Sequence, residues 1–376
     1  MNFKNVKSIV LFLLYICIFS GMTSCKGNIE PIKIGVVGTM SGANSDLTVS
    51  GRRGVELAVD EFNKAGGLNG RKVELVVKDV KHDPIVAFNA YKEFIKEKIP
   101  VVIGPYNSGM IVSSMDYLKD KDILFLAPTV SADTLSDLDD NFIRFIATTK
   151  EEAVVLSNMA RKNQNRKFAI IYDLENRGFN DALYTNFIKL LENNNGKVVM
   201  TKTFSPSLNF DRQAMARDIA ESNADAVLII ADSSDNARIT QQLRKIGCGI
   251  QIYAPLRANT YDLKREGGTA IEGMYIVGAV DLNDRSEDFV RFKENFYGRY
   301  EENPTYSSIY SYEAANALFQ AMKMGTDLKP STLKANIIKI KDFKGLQGNY
   351  QINEFGDNIR KYMIFRFENG ELRKVD

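Results

Sequence analysis

The chain has 376 residues and a formal net charge of +2, from 49 basic and 47 acidic side chains. A length of this order favours two domains over one. The near balance of charge argues against nucleic-acid binding, which usually shows a basic excess or stripe. Lys4 and Lys7 account for the small excess, because the first 24 residues contain no acid. The remainder of the chain is therefore neutral overall.

The start of the chain has the layout of an export signal. Two lysines precede an unbroken apolar run over residues 9–19, and the small residues Ser20 and Gly21 follow it. This run is too short for a membrane span, which needs about 20 apolar residues. A cleaved signal peptide over residues 1–24 fits the pattern.

Cys25 follows Thr23 and Ser24 in a stretch that resembles a lipoprotein processing site. We expect Cys25 to carry the lipid, and the alternative is an ordinary cleaved signal with a chance cysteine. No second apolar span follows, so membrane contact is predicted through the lipid alone, at a periplasmic or cell-surface location. Only Cys17 and Cys248 remain, so no disulfide framework is expected.

Short apolar runs alternate with amphipathic stretches from residue 32 onward. This alternation predicts parallel sheets covered by helices on both faces, and its restart after residue 148 predicts two doubly wound α/β lobes. Strands are predicted, in chain order, over residues 32–38, 72–79, 100–103, 123–126, 168–172, 197–203, 226–230 and 251–253. Helices are predicted between them over residues 49–65, 84–97, 108–119, 180–194, 211–222 and 235–246.

The last third of the chain has a different pattern. Helices are predicted over residues 286–300, 306–324 and 333–340, and β structure over residues 343–352 and 361–367, with an Asn-Gly turn at residues 369–370. This tail is expected to complete both lobes, with several chain crossings between them. The predicted boundaries give a first lobe of residues 30–148 and 279–345, and a second lobe of residues 149–278 and 346–376.

Catalytic and metal-binding signals are missing from the sequence. His82 is the single histidine, and its place at a strand-to-helix turn favours a surface residue over a member of a nucleophilic site. The chain has no Cys-x-x-Cys, His-Glu-x-x-His or phosphate-binding loop motif. We therefore expect no enzyme activity, no cofactor and no metal.

Small hydroxyl residues follow two of the predicted strands. Ser108 comes after residues 100–103, and Thr129 and Ser131 come after residues 123–126. Ligands of open α/β sheets bind beyond the carboxyl ends of the strands. A hydroxyl at a helix start can hold a carboxylate, and the alternative for Ser108 is a simple helix cap.

Several stretches together resemble the leucine/isoleucine/valine-binding family of periplasmic solute-binding proteins, which serve ABC importers. They are Ile-Gly-Val-Val-Gly-Thr-Met-Ser-Gly at residues 34–42, Asp-Glu-Phe-Asn-Lys-Ala-Gly-Gly-Leu-Asn-Gly-Arg at residues 60–71, Val-Ile-Gly-Pro at residues 102–105, Phe-Leu-Ala-Pro at residues 125–128 and the segment 345–356. The resemblance covers nearly all of the chain after the signal. It implies two lobes that close on a small ligand by hinge bending.

The resemblance also implies a ligand pocket. By position, Ser108 matches the serine that holds the ligand carboxylate. Thr129 matches the residue whose backbone contacts the ligand, and Ser131 matches a residue whose hydroxyl binds the ligand. Tyr106 is expected to form an apolar wall, with a half-exposed loop tyrosine as the alternative.

Other positions depart from the family pattern. Leu256 stands where an acid usually meets the ligand ammonium, Leu47 where an aromatic residue is frequent, and Arg177 where tyrosine is common. Asp232 stands in place of an aromatic residue and is an alternative acid for the ammonium. Arg177 and Arg257 favour instead a ligand with a second anionic group, and solvated or lobe-bridging roles are the alternatives for both.

The sequence thus predicts a lipid-anchored, monomeric binding protein that captures a small carboxylate-bearing solute, an amino acid or a related organic acid, for an ABC permease. A ligand-sensing receptor of the same fold, an enzyme and a structural lipoprotein are the alternatives.

Overall fold

The computed structural model of the protein describes residues 30–42, 45–208, 210–325 and 327–375. The predicted signal peptide and Cys25 lie outside the described residues. Within the described ranges no helix is long and apolar enough to cross a membrane.

The first lobe is built on a five-stranded, all-parallel sheet with the order β2-β1-β3-β4-β5. Its strands are β1 (Ile32–Gly38), β2 (Val73–Asp79), β3 (Val101–Ile103), β4 (Leu124–Ala127) and β5 (Phe142–Arg144). Every residue of the central strands β3 and β4 is buried. Such continuous apolar strands are typical of a sheet covered on both faces.

The helices of this lobe follow the predicted order. They are α1 (Asp46–Lys64), α2 (Pro84–Lys96), α3 (Gly109–Val112) and α4 (Met115–Leu118). Gly66 and Gly67 both have positive φ just after α1, as the predicted helix end requires. The helix predicted over residues 108–119 is wrong in one respect. It is two single turns separated at Ser113 and Ser114, and serine is a residue type that favours helix ends over helix interiors.

The second lobe carries a seven-stranded sheet with the order β14-β13-β10-β9-β8-β6-β7. Its strands are β6 (Lys167–Asp173), β7 (Lys197–Phe204), β8 (Ala226–Ile230), β9 (Gln251–Ala254), β10 (Tyr275–Gly278), β13 (Met363–Glu368) and β14 (Glu371–Val375). Its helices are α5 (Thr149–Lys162), α6 (Arg177–Asn193), α7 (Arg212–Glu221), α8 (Ser233–Lys245) and α9 (Tyr261–Gly267).

The tail contributes to both lobes. The pair β13 and β14 is antiparallel, and the residues joining them, Asn369 and Gly370, both have positive φ, as the predicted hairpin turn demands. The helices α10 (Glu287–Tyr300), α11 (Tyr306–Met324) and α12 (Pro330–Ile340) and the hairpin of β11 (Asp342–Gly345) and β12 (Gly348–Gln351) precede that pair. The predicted architecture of two doubly wound α/β lobes is confirmed.

The contacts of residues 346–358 bear on the predicted lobe boundary at 345/346. The backbone N–H of Leu346 donates to Glu313 of α11, and the N–H of Arg144 in β5 donates to the carbonyl of Gly356. Asp357 forms an ion pair with the fully buried Arg144, with nitrogen and oxygen 2.7 Å apart. These contacts favour a last crossing near residue 360 over the predicted position.

The first lobe is held together by a close contact between α1 and α11. An added methyl group on Gly54 would overlap the carbonyl oxygen of Ser308, and one on Gly51 would overlap the ring of Tyr106. Ser307 Oγ donates to the carbonyl oxygen of Leu47 at 2.7 Å. Helix α11 therefore fixes the beginning of α1, which lies at the cleft between the lobes.

We predict that Gly54→Ala destabilises the protein by about 1–3 kcal/mol, because the new methyl group forces the two helices apart. The matched control is Gly298→Ala in α10, where nothing lies within 4 Å of the added carbon. There alanine is expected to be neutral or to stabilise by up to about 1 kcal/mol. Urea unfolding midpoints of both variants measure this, and equal midpoints would contradict the helix contact.

Candidate functional site

A cavity lies between the lobes, where the carboxyl ends of the parallel strands of the two sheets face each other. The centre of a water molecule can occupy about 50 Å³ of this cavity. That volume has room for a few water molecules. The first lobe lines it with Thr39, Asp46, Leu47, Thr48, His82, Tyr106, Asn107, Ser108, Thr129, Ser131, Ile146 and Tyr306. The second lobe lines it with Asn176, Phe179, Asp232, Ser233, Leu256 and Arg257.

The lobes touch each other beside this cavity. The backbone N–H of Gly109 donates to Asn176 Oδ1 across the cleft at 3.1 Å. The absence of a side chain at Gly178 brings α6 close to Ser108 and Val112 of the first lobe. Asn186 of α6 also donates to Asp133 of the first lobe. The structure is therefore a closed arrangement of the two lobes.

The three predicted hydroxyl residues lie together in the first-lobe wall. Ser108, Thr129 and Ser131 are all buried and line the cavity. Ser108 makes no side-chain capping bond to α3, so the capping alternative does not account for it. Helix α3 is only four residues long, which leaves little of the predicted dipole effect. Thr129 Oγ1 donates to the carbonyl of Tyr106 at 2.7 Å and so fixes the loop after β3.

The apolar part of the first-lobe wall also contains predicted residues. Tyr106 is 2% exposed and lines the cavity, so it is not a half-exposed loop tyrosine. Its hydroxyl accepts a hydrogen bond from Ser311 Oγ at 3.1 Å. Leu47 lines the cavity from the first turn of α1.

The second-lobe wall is charged. Arg257 Nη1 donates to Asp173 Oδ2 at 2.6 Å and to Asn180 Oδ1 at 3.0 Å. The guanidinium also lies 5.9 Å from the ring centre of Phe179. Asp173 is itself 1% exposed, so this is a buried ion pair that would be costly to break from one side.

Asp232 lies next to this pair at the start of α8. Its Oδ1 accepts the N–H of Asp235 at 2.9 Å, so the residue caps the helix, and only 8% of its surface is exposed. Burial raises the pKa of Asp232 to about 6, although the nearby positive charge of Arg257 opposes the shift. The carboxyl group therefore titrates closer to neutral pH than that of an exposed aspartate.

Leu256 contributes an apolar surface to the cavity and a backbone anchor behind it. Its N–H donates to Glu152 Oε1 at 2.6 Å, in the turn that carries Arg257. Glu152 has no exposed surface, and its other oxygen has no hydrogen-bond partner within the described part of the chain. Burial raises the pKa of Glu152 to about 8.

One predicted site residue lies elsewhere. Arg177 is the first residue of α6, its side chain is 71% exposed, and it forms an ion pair with Asp181 one turn later. The helix directs Arg177 toward solvent, while Asn176 and Phe179 face the cleft. Its predicted role in the pocket is therefore wrong, and the solvated alternative describes it.

Sequence reasoning missed several cavity residues, including His82, Asp46 and Tyr306. His82 was expected on the surface, but it is half-buried and lines the cavity. It follows β2, the neighbour of β1. The rule that ligands bind beyond the carboxyl ends of the strands, which selected Ser108 and Thr129, would therefore have found His82. Burial lowers the pKa of His82, as does the positive charge of Arg257, so the imidazole is neutral at pH 7.

A metal site is not indicated within residues 30–42, 45–208, 210–325 and 327–375. No group of three or more histidine, cysteine, aspartate or glutamate residues in these ranges is arranged to hold an ion.

Comparison with known proteins identifies the family of this chain. The family model of the periplasmic binding protein matches residues 31–371. The chain belongs to the periplasmic binding protein family. The resemblance to its leucine/isoleucine/valine-binding members is also confirmed. The Brucella abortus protein named Leu/Ile/Val-binding protein homolog 2 is 22% identical over 92% of each chain.

Other members of the periplasmic binding protein family are similar to this chain over most of their length. A Pseudomonas aeruginosa protein, named for binding leucine, isoleucine, valine, threonine and alanine, is 20% identical over 90% of each chain. The leucine-binding protein LivK of Thermotoga maritima superposes with a TM-score of 0.84, at 22% identity, over 92% of this chain and 98% of that one.

A solute-binding protein of an ABC transporter from R. palustris, solved in complex with benzoate, gives a TM-score of 0.83 at 19% identity, over 92% of this chain and 95% of that one. All of these relatives are named for binding, which favours a binding role over an enzyme.

We predict that Glu152→Gln makes the protein more stable at alkaline pH. The folded state holds the proton of Glu152 more tightly than the unfolded chain, so its contribution to stability falls as the pH rises from about 4.5 to about 8. Glutamine cannot ionise and still accepts the N–H of Leu256, so the gain at pH 9 is expected to be on the order of 1–3 kcal/mol.

Urea unfolding at pH 5 and pH 9 measures this difference. The control is Glu151→Gln, the exposed neighbour of Glu152, which should show no comparable gain. A Glu152→Gln variant that is no more stable than the parent at pH 9 would contradict this prediction. It would show that Glu152 is charged and that the folded protein stabilises its charge.

Proposed function

We propose that the protein is an extracytoplasmic binding protein that captures a small carboxylate-bearing solute, an amino acid or a related organic acid, for an ABC importer. The observation that carries this proposal is the interlobe cavity with the hydroxyl residues Ser108 and Ser131 in its wall. The relatives support it, because branched amino acids and benzoate share a carboxylate group.

The first lobe supplies neutral donors for that carboxylate. Ser108 and Ser131 are 2% and 3% exposed, so hydrogen bonds from their hydroxyls to a charged ligand form away from bulk water. Such bonds contribute about 1.5–3 kcal/mol each. The loop that carries Ser131 is itself fixed, since the N–H of Thr149 donates to the Ser131 carbonyl at 2.9 Å.

Closure follows from the division of the cavity between the lobes. A ligand that first binds the hydroxyls of the first lobe gains contacts with Phe179, Asp232 and Arg257 only when the second lobe closes. Ligand binding shifts the equilibrium by the difference in affinity between the open and closed states. The closed form is then the one that a permease recognises.

The setting of the protein is part of the same proposal. Export by the signal over residues 1–24 and lipid attachment at Cys25 would hold the binding domain at the outer side of a membrane. A monomer suffices, since one chain provides both walls of the cavity.

We predict that Ser108→Ala combined with Ser131→Ala weakens binding of a carboxylate ligand by about 100-fold or more, from the loss of two hydrogen bonds to a charge. Leucine, valine and benzoate serve as probes, first by thermal shift and then by calorimetric titration. The control combines Ser113→Ala with Ser207→Ala, two exposed serines. Unchanged affinity in the variant that combines Ser108→Ala with Ser131→Ala would show that the ligand carboxylate does not bind to this wall.

A further inference from the structure

A second cavity lies beside the crossing segment, residues 279–286, in which the chain passes from β10 of the second lobe to α10 of the first. The centre of a water molecule can occupy about 310 Å³ of it, against about 50 Å³ of the interlobe cavity. Tyr306 lines both cavities and so belongs to the wall between them. The second cavity is large enough for a small organic molecule, and such molecules often bind at the boundary between domains.

The floor of the second cavity is an apolar face of the second-lobe sheet. Phe365 and Phe367 are two residues apart in β13, so their side chains lie on the same face. Leu372 of β14 is paired with Phe367 and adds to that face. The two phenylalanines are only 3% and 2% exposed, so they form the deep end of the cavity.

The rim of the second cavity is apolar as well, but it is exposed. Tyr261 at the start of α9 is 66% exposed, and Leu282 in the crossing segment is 36% exposed. Exposed large apolar side chains beside a concave apolar surface are typical of binding sites. Pro304 and Thr305 line the cavity from the first lobe. A molecule bound here would therefore contact both lobes.

One positive charge at this apolar surface has no acidic partner. The charged residues in the described lining are Lys264, Lys293 and Glu371. Lys264 Nζ donates to Glu371 at 2.7 Å, so these two charges offset each other. Lys293 is half-buried, its Nζ donates to the carbonyl of Leu282 at 3.4 Å, and no carboxylate among the described residues pairs with it. An ammonium group has three donors, so Lys293 can still bind an anionic group.

We propose that the second cavity is a binding site for a small apolar carboxylate. The ring or hydrocarbon chain of this ligand packs on Phe365, Phe367 and Leu372, and its carboxylate meets the ammonium group of Lys293. A carboxylate supplies the charge that this lysine lacks, whereas a neutral apolar molecule would leave the half-buried cation without a partner. The site goes beyond the proposed function, because it takes a molecule outside the interlobe cavity.

A lysine can also cover an apolar surface with its hydrocarbon stem alone, and that role would not depend on the charge of a ligand. Three probes with the same rings separate the two roles. They are 2-naphthoate, 2-naphthylmethanol and 2-naphthylmethylamine, which are an acid, a neutral alcohol and a cation. The chain contains no tryptophan, so the fluorescence of the naphthalene ring reports binding.

The titrations use protein that carries Ser108→Ala and Ser131→Ala, so that the interlobe cavity does not compete for the acid. We expect 2-naphthoate to bind one site per chain, with an affinity at least about 10-fold higher than that of 2-naphthylmethanol, as for hydrogen bonds to charged groups. The amine is expected to bind more weakly than the alcohol, because its charge has the same sign as that of Lys293.

Substitutions in the same protein locate the site. Lys293→Gln is expected to weaken naphthoate binding about 10-fold and to leave the alcohol unchanged, whereas Lys293→Arg retains the acid. Tyr261→Ser is expected to weaken both ligands about three- to tenfold through the loss of a ring contact. The controls are Lys339→Gln and Tyr297→Ser, whose side chains are exposed and lie outside the lining. Urea unfolding midpoints verify that all variants are folded.

Weaker naphthoate binding in both Lys293→Gln and Tyr261→Ser, with unchanged binding in the two controls, supports the second site. The absence of saturable naphthoate binding overturns it, and so does equal affinity for the acid and the alcohol. Naphthoate binding that neither Lys293→Gln nor Tyr261→Ser weakens takes place elsewhere and also overturns the site. Because these titrations do not use the interlobe cavity, their result is separate from that of the proposed function.

Discussion

The whole site depends on one geometric constraint, which is the parallel direction of β1 to β5 in the first sheet and of β6 to β10 in the second. Each strand of a parallel sheet ends at the same edge, and the loops after those ends are free to carry function. The two lobes place these edges face to face, so residues after β1, β2, β3 and β4 meet residues after β6, β8 and β9. No single lobe could enclose a ligand, and the cavity exists only when both are in contact.

The two walls differ in chemistry, and the difference gives the lobes different tasks. The first lobe offers the hydroxyls of Ser108 and Ser131, which need no counter-charge. The second lobe offers a buried charge network in which Asp173, Asn180 and Arg257 fix one another. Such a network is rigid when it is fully satisfied. A ligand can therefore first meet these two hydroxyls and then the charges of the second lobe, whose positions are already set.

Much of this architecture could be predicted from the sequence, because hydrophobic periodicity and turn residues report local structure directly. Most strands, most helices and the Asn369-Gly370 turn followed from pattern alone, and the strand-end rule found Ser108, Thr129 and Ser131. The strands β5 and β10 and the helices α5 and α9 were not predicted. Arg177 was misplaced because a shift of one residue at a helix start decides whether a side chain faces the cleft or the solvent. Hydrophobic periodicity does not determine the position of a helix start to within one residue.

The remaining features depend on distant parts of the chain. Glu152 reaches Leu256 across about a hundred residues, and Arg257 faces Asp173 from the turn that follows β9. Asp46 looks like an ordinary acid in the first turn of a helix, and the lack of a donor for its Oδ2 among the described residues shows only in the packed structure. Residue type identified the candidates, but only the packed structure shows which charges have partners.

The central claim is that a ligand stabilises the closed arrangement of the lobes. Small-angle X-ray scattering of the purified protein, with and without a saturating amount of an amino acid shown to raise its melting temperature, tests this claim most directly. The account predicts a smaller radius of gyration with ligand, as two separated lobes close on the cavity. Saturable binding in the interlobe cavity with no change in the radius of gyration would contradict it.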